Sequence, residues 1–186
     1  MSRIPTPASI EAAPQAAQPL LQAVKKQLGV VPNMFRAIAN SPAALEGYLG
    51  LNGALAKGAL EPATRERIAL AIAEVNGCDY CASAHTYLGK NLSKLSDAEI
   101  AANRDGGSTD AKADAAIRFA VKLARLRGHP SDADVQAVKD AGYSDAQVIE
   151  IVLHVALNTL TNYINETVKT DIDFPTVTTN PLRKAA

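Results

Sequence analysis

The sequence predicts an all-α protein in which 186 residues form one domain of about seven or eight helices. Alanine, the strongest helix former, is abundant along the whole chain. No segment shows the sustained two-residue alternation of apolar and polar side chains that is typical of a strand. Capping side chains and prolines instead precede several apolar stretches, as expected at helix N-termini.

The first half of the chain divides into an N-terminal arm and four helices. Prolines at 5, 7, 14 and 19 prevent a continuous helix in residues 1–18, which we expect to form the arm. Gly29 ends the first helix, and Ser41-Pro42 begins the second. Gly47, Gly50 and Gly53 recur every third residue in the second helix and are expected to pack closely against a neighbour. The predicted helices are 19–28, 42–57, 62–76 and 78–91.

Serines begin most of the helices predicted in the second half. Ser96 and Glu99 form the pattern of a capping box, in which a hydroxyl and a carboxylate satisfy each other's backbone amides. Ser131 and Ser144 are expected to cap two further helices. The helices are predicted from residue 97, over 111–127, from 132 to a stop at Gly142, and from 145 to about 171. The main domain is thus 19–175, and the polar residues 176–186 are expected to form a loose tail.

Charge and hydropathy exclude several classes of function. The chain has 19 basic and 19 acidic residues, so its net charge gives no electrostatic basis for binding nucleic acid or an anionic membrane. No apolar run reaches the length of a transmembrane helix, and the N-terminus lacks the pattern of a secretory signal. We therefore expect a cytoplasmic protein, in which two cysteines rarely form a structural disulfide.

The only two cysteines form a CxxC motif that is followed by a histidine. Cys78, Cys81 and His85 are spaced by three and four residues, so they lie on one face of a helix that begins near Cys78. A helix N-terminus and a nearby imidazolium both lower a cysteine pKa from its ordinary value of about 8.5. This pattern favours thiolate chemistry. We expect Cys81 to attack a peroxide and Cys78 to resolve the sulfenic acid into a disulfide.

A carboxylate is expected to orient His85. If helices 62–76 and 78–91 fold back on each other about Gly77, His85 lies opposite residues near Glu66, within a few ångströms at about 1.5 Å per residue. Glu66 also shares a face with apolar residues, which favours partial burial. Glu74 is the alternative carboxylate, but it lies too near the turn to oppose His85 and is closer to Cys78.

The motif resembles the core of the alkylhydroperoxidase D family, within the carboxymuconolactone decarboxylase-like superfamily. The resemblance is carried by Glu66 and by Cys78-Asp79-Tyr80-Cys81-Ala82-Ser83-Ala84-His85, and residues 154–163 and 173–175 resemble a branch labelled peroxidase-related. It implies a single-domain orthogonal array of helices and a homo-oligomer, whether dimer, trimer or hexamer. It also implies reduction of alkyl hydroperoxides by the cysteine pair, without metal or organic cofactor.

The resemblance further implies a proton relay and an electron donor. His85 and Glu66 match the family's relay, and a thiol reductant, such as a lipoyl-bearing protein or a thioredoxin-like donor, would reduce the disulfide. The sequence departs from well-studied members at Tyr80, where they have a second histidine between the cysteines. This difference affects both the relay and the choice of donor.

Other interpretations of the same residues remain open. Cys78, Cys81 and His85 supply three possible zinc ligands, with a fourth from Glu66, Glu74 or His154. Two other functions are possible: that of a lactone decarboxylase of the same superfamily, and that of a redox-sensing helical protein without catalytic turnover. His154 is expected to be a core histidine. The three residues Asn158, Asn162 and Asn165 are expected to bond a neighbouring helix or subunit, or to border the active site.

Overall fold

The chain is all-helical across residues 2–180, which are the residues that the computed structural model describes. This confirms the predicted fold class. A short 3-10 turn at Gln15–Ala17 precedes nine α-helices in this part of the chain. They are α1 (Gln18–Leu28), α2 (Asn33–Ile38), α3 (Pro42–Leu55), α4 (Pro62–Asn76), α5 (Asp79–Asn91), α6 (Asp97–Arg104), α7 (Ala111–Arg125), α8 (Asp132–Asp140) and α9 (Asp145–Val168).

Most helix ends follow the signals in the sequence. The side chains of Ser41, Ser96, Ser131 and Ser144 each accept a hydrogen bond from the backbone amide three residues later. Gly29 ends α1 in the left-handed conformation, with φ of 78°. The predicted boundaries therefore agree with the observed ones to within about three residues.

Helix α2 was not predicted, because tertiary contacts rather than local signals stabilise it. The sequence indicates a loop at residues 30–33 and no helix between this loop and the helix that begins at Ser41-Pro42. In the structure the amide of Asn33 donates to Asp173 Oδ2 at 2.8 Å, and Met34 N donates to the Tyr80 hydroxyl at 3.1 Å. Phe35 and Ile38 are buried in the core. A six-residue helix gains little from propensity alone, so its formation depends on this packing.

Both ends of the described chain pack onto the helices. In the N-terminal arm, Ala13 is buried and Arg36 donates to the carbonyl of Ala8 at 2.8 Å. The expectation of a loose C-terminal tail is wrong for residues 176–180. Val177 N donates to Ser83 Oγ at 2.9 Å, and Thr179 N donates to Asp79 Oδ1 at 2.9 Å. The rest of the predicted tail, 181–186, lies outside the described residues.

Helix α4 lies at the centre and contacts α5, α6, α7 and α9. Every residue from Ile68 to Glu74 is buried. On one side, Ile68 and Ile72 join a core formed with α7 and α9, and on the other Ala73 joins a core that includes Cys78 and Cys81. The alanines allow close approach of the neighbouring helices. No helix among the described residues is long and apolar enough to cross a membrane.

The glycines of α3 do not pack as predicted. A Cβ added at Gly47, Gly50 or Gly53 would meet no atom within 4 Å among the described residues. These glycines are exposed on the outer side of α3. The expected close approach to a neighbouring helix is therefore wrong within this chain.

The capping box predicted at α6 is only half formed. Ser96 Oγ accepts from Glu99 N at 3.1 Å, but the Glu99 carboxylate faces α4 and the loop after α6. There it accepts hydrogen bonds from Arg67 Nε at 2.7 Å and from groups of Asn103, Ser108 and Thr109. Burial opposes its ionisation, but these bonds outweigh burial and lower the pKa of Glu99 to about 2. Glu99 thus links α4, α6 and the following loop.

We expect Glu99→Gln to lower the free energy of unfolding by about 2 kcal/mol at pH 7, because charge-assisted hydrogen bonds to a buried carboxylate are lost. The folded-state pKa is below the ordinary 4.5, so this contribution is present above about pH 4.5 and is lost as the pH falls towards 2. Urea unfolding at pH 7 and pH 3 measures it. Asp97→Asn is the control, since the Asp97 side chain is 80% exposed and its loss should cost under about 0.5 kcal/mol. Equal stability of wild type and Glu99→Gln would contradict the assignment.

Candidate active site

The site forms where α5 folds back along α4. Gly77 ends α4 with φ of 66° and ψ of 40°, a left-handed conformation that suits glycine. Cys78 follows as the N-cap of α5, and its Sγ accepts a hydrogen bond from Cys81 N at 3.3 Å. Both cysteines are free and buried. The turn therefore brings two thiols together at a helix N-terminus, where backbone amides favour negative charge.

His85 and Glu66 meet across the two helices. The distance between His85 Nδ1 and Glu66 Oε2 is 2.9 Å. Both side chains are partly accessible, with 22% and 23% of their surface exposed. Burial opposes a charge on the imidazole, but the Glu66 carboxylate outweighs burial and raises the pKa of His85. The pair thus favours an imidazolium that faces the cysteines.

Cys81 is the more acidic of the two thiols. The hydrogen bond from Cys78 lowers its pKa most; burial acts in the opposite direction, and His85 and the amides of Asn165 and Asn162 lower it further, to about 7. Asn165 Nδ2 lies 3.3 Å from Cys81 Sγ. Cys81 therefore loses its proton more readily than a free cysteine does.

Cys78 has the opposite character. Its pKa is raised, first because its thiol donates to Cys81 and second because it is completely buried. It therefore remains a thiol when Cys81 is a thiolate. The two sulfurs differ in the way that a nucleophile differs from the thiol that later resolves it.

Glu74 and Tyr80, which the sequence placed near the relay, form hydrogen bonds with residues other than His85. The Glu74 carboxylate pairs with Arg104 and accepts from Asn180 N at 3.0 Å. The Tyr80 hydroxyl donates to Asp173 Oδ1 at 2.8 Å and accepts from Met34 N. Tyr80 therefore connects α5 to α2 and to the C-terminal segment.

The remaining histidine on a buried face is held neutral. His154 in α9 is buried, and burial followed by the charge of Arg65 lowers its pKa to about 4. Within residues 2–180, no group of three or more His, Cys, Asp or Glu side chains is arranged to hold a metal ion.

The sequence did not predict Tyr48 as a residue of the site, and it left the role of Asn165 open. Tyr48 of α3 is close enough to the site that the charges of Cys81 and Glu66 add to burial in raising its pKa. No motif or spacing links it to the cysteines, since α3 approaches them only in the fold. Asn165 was expected to bond a neighbouring helix or subunit, or to border the site, and the structure places its amide against Cys81.

A sequence model of the carboxymuconolactone decarboxylase family matches residues 42–126, which include Glu66 and the stretch 78–85. No curated protein sequence matches the chain. Among solved structures, the chain is similar to an alkylhydroperoxidase core, an uncharacterised peroxidase-related protein of Ralstonia eutropha JMP134. That match has 25% sequence identity and a TM-score of 0.80, and covers 98% of this chain and 94% of the other.

Two further solved structures share the fold. A peroxidase-related protein of Silicibacter sp. TM1040 is 21% identical, with a TM-score of 0.76 over 100% of this chain and 98% of its own. The debrominase Bmp8, solved as a cysteine-to-alanine variant in complex with 2,3,4-tribromopyrrole, is 21% identical, with a TM-score of 0.75 over 93% and 94% of the two chains. At this identity the two likenesses establish the fold alone.

We expect Glu66→Gln to raise the pKa of Cys81 from about 7 and to slow its alkylation at neutral pH. The variant keeps the shape of the side chain but removes the charge that stabilises the His85 imidazolium. Alkylation rates measured against pH test this. Glu74→Gln is the comparison, because Glu74 pairs with Arg104 and should have at most a small effect on Cys78. A large shift in Glu74→Gln with none in Glu66→Gln would contradict the relay.

Proposed function

Because the chain belongs to the alkylhydroperoxidase D-like group of the carboxymuconolactone decarboxylase superfamily, as its cysteine motif predicted, we propose that it is a thiol-dependent peroxidase acting on alkyl hydroperoxides. One observation carries the proposal. A cysteine with a pKa of about 7, Cys81, lies against a buried second thiol, Cys78, which can resolve its oxidised form.

In the first step the Cys81 thiolate attacks the terminal oxygen of the hydroperoxide. An S–O bond forms as the O–O bond breaks, so Cys81 is oxidised to a sulfenic acid and the hydroperoxide is reduced to an alcohol. The alkoxide that leaves needs one proton. We assign the His85 imidazolium as the proton donor, because the Glu66 carboxylate beside it raises its pKa.

In the second step Cys78 attacks the Cys81 sulfenic acid. A disulfide forms and the hydroxyl leaves as water, with the proton supplied by the Cys78 thiol. Cys78 Sγ already accepts a hydrogen bond from the backbone amide of Cys81 at 3.3 Å, so the resolving sulfur lies next to the residue that it attacks. A dithiol reductant, such as a lipoyl-bearing or thioredoxin-like protein, then returns both thiols by thiol–disulfide exchange. The reducing cytoplasm is the compartment we propose for this cycle.

Glu66 acts in this scheme through His85. Its carboxylate fixes which ring nitrogen faces the sulfur and keeps the ring protonated at a pH where a free imidazole is neutral. The ion pair is one-fifth exposed, which gives a proton a path to solvent. Glu66 is thus proposed as a positioning residue and His85 as the group that exchanges the proton.

The cysteine pair separates this function from its alternatives. A lactone decarboxylase has no need of two coupled thiols of opposite acidity. A redox sensor would form the disulfide but would not turn over. The debrominase shares the fold, and fold alone does not assign chemistry.

We also propose that the chain forms a homo-oligomer through one face of α9. The outer side of this helix exposes Val152, Leu153, Leu160 and Tyr163, with Leu160 44% and Tyr163 63% accessible. These side chains recur at helical spacing, and they lie opposite the buried polar face of α9. A contiguous apolar stripe of this kind is typical of an interface. The zero net charge does not oppose association.

We expect Leu160→Glu with Tyr163→Glu to convert the oligomer into monomers, because the two carboxylates would be buried unpaired in the interface. Light scattering coupled to size exclusion measures the mass. Leu92→Glu is the matched control, since Leu92 is 71% exposed and lies outside α9. A wild-type monomer, or an unchanged mass in the double variant, would overturn this proposal.

Cysteine variants test the peroxidase assignment. We expect Cys81→Ser to abolish peroxide reduction, and Cys78→Ser to complete one stoichiometric turnover that stops at the sulfenic acid. Peroxide consumption by the purified protein is measured with dihydrolipoamide, dithiothreitol or thioredoxin as the donor. A dead Cys78→Ser with a reactive Cys81→Ser would reverse the two roles. No consumption by wild type with any donor, although the disulfide forms, would favour a sensor.

A further inference from the structure

Helix α9 carries three asparagines on the face that points into the protein. Asn158, Asn162 and Asn165 are 7%, 0% and 2% exposed. Two atoms of this group have no hydrogen-bond partner among the described residues, Asn162 Nδ2 and Asn165 Oδ1. A buried amide that lacks a partner destabilises the fold, so its position is expected to serve a function.

The amides of Asn162 and Asn165 converge on Cys81. Asn165 Nδ2 is 3.3 Å from Cys81 Sγ. Asn162 Oδ1 accepts a hydrogen bond from Asn76 Nδ2 at 2.8 Å, which fixes the orientation of the amide and leaves its NH₂ group for the cysteine. Asn158 is different, since its amide donates to the carbonyl of His154 in its own helix at 2.8 Å.

We propose that Asn162 and Asn165 form an amide cradle that stabilises the buried Cys81 as a thiolate. The inference deepens the proposed function, because the thiolate is the species that would attack the peroxide. Asn165 acts by hydrogen-bond donation from Nδ2 to Sγ. The Nδ2 of Asn162 has no partner among the described residues and is the second donor that the cradle would offer to the charged sulfur. Asn165 contacts the reacting atom directly, and Asn76 is the residue that positions Asn162.

The surroundings of Cys81 explain why neutral donors are needed. Cys81 is 3% exposed, so water stabilises its charge only weakly. Among the titratable groups of residues 2–180 that influence the pKa values of the cysteine pair, His85 is the only one that becomes positive. The others are neutral or negative: Tyr48 of α3, Glu66 of α4, Cys78 and Tyr80 of α5, and Glu166 of α9. Amides do not titrate, so the cradle would keep its hydrogen bonds after His85 loses its proton.

The test measures the Cys81 pKa without using peroxide. All variants carry Cys78→Ser, which leaves one cysteine and keeps a hydroxyl donor beside it. Iodoacetamide alkylation rates are measured against pH for Asn165→Leu, Asn165→Asp, Asn162→Leu and the control Asn158→Leu. Thermal unfolding monitored by circular dichroism verifies that each variant is folded.

We expect Asn165→Leu and Asn162→Leu each to raise the Cys81 pKa by about one unit, which slows alkylation at pH 7 about fivefold. Asn165→Asp, which keeps the shape but adds a negative charge, should raise the pKa more than Asn165→Leu. Asn158→Leu should leave it unchanged. Because Asp and Asn are nearly isosteric, this order distinguishes hydrogen-bond donation from packing.

Two results would overturn the cradle. One is an unchanged pKa in both Asn165 variants, and the other is an equal shift in all variants, Asn158→Leu included. If Asn165→Leu fails to fold, the proposal is still tested by Asn165→Asp, which is nearly isosteric with the wild type, and by Asn162→Leu. The Cys81 pKa could shift as expected in a protein that consumes no peroxide with any donor. That result would support the cradle and reject the peroxidase assignment, so the two proposals are tested separately.

Discussion

Gly77 turns the chain with φ of 66° and ψ of 40°, and the contacts between α4 and α5 in the candidate site depend on this left-handed turn. It folds α5 back along α4, so that Cys78 becomes the N-cap and His85 comes within 2.9 Å of Glu66. A residue with a Cβ is strained in this conformation. Ala73 of α4 is buried in the same core as the two cysteines, and its small side chain lets the two helices approach closely. The pairing of His85 with Glu66 and the proximity of the two cysteines therefore both depend on one backbone turn.

At Tyr80 the chain departs from the motif that the family resemblance implies, and the tyrosine has a structural role there. Where well-studied relatives are expected to have a second histidine, this chain has a tyrosine whose hydroxyl is bonded to Asp173 and Met34. Tyr80 therefore holds α2 and the C-terminal segment in place, and His85 is the one imidazole of the described residues beside Cys81. The amide of Asn165 is the side-chain donor that contacts the Cys81 sulfur.

Local signals predicted much of this structure, and contacts between distant segments account for what they missed. Serine caps and Gly77 fix helix ends within a few residues, so the pairing of Glu66 with His85 followed from the register of one hairpin. Helix α2, Tyr48 and the docking of residues 176–180 depend instead on packing between parts of the chain far apart in sequence. The α3 glycines show the reverse error, since regular spacing predicted a contact that the chain itself does not supply.

Helix α9 connects the site to the surface through its two faces. Its inner face presents Asn162 and Asn165 to the cysteine pair, while Leu160 and Tyr163 lie on its exposed face within one turn of them. A helix is stiff along its axis, so a partner that packs on Leu160 and Tyr163 also restrains the two asparagines. Hydrogen bonds to a thiolate are sensitive to distance and angle. Assembly and thiolate acidity are therefore mechanically coupled in the proposed arrangement, because one helix carries both.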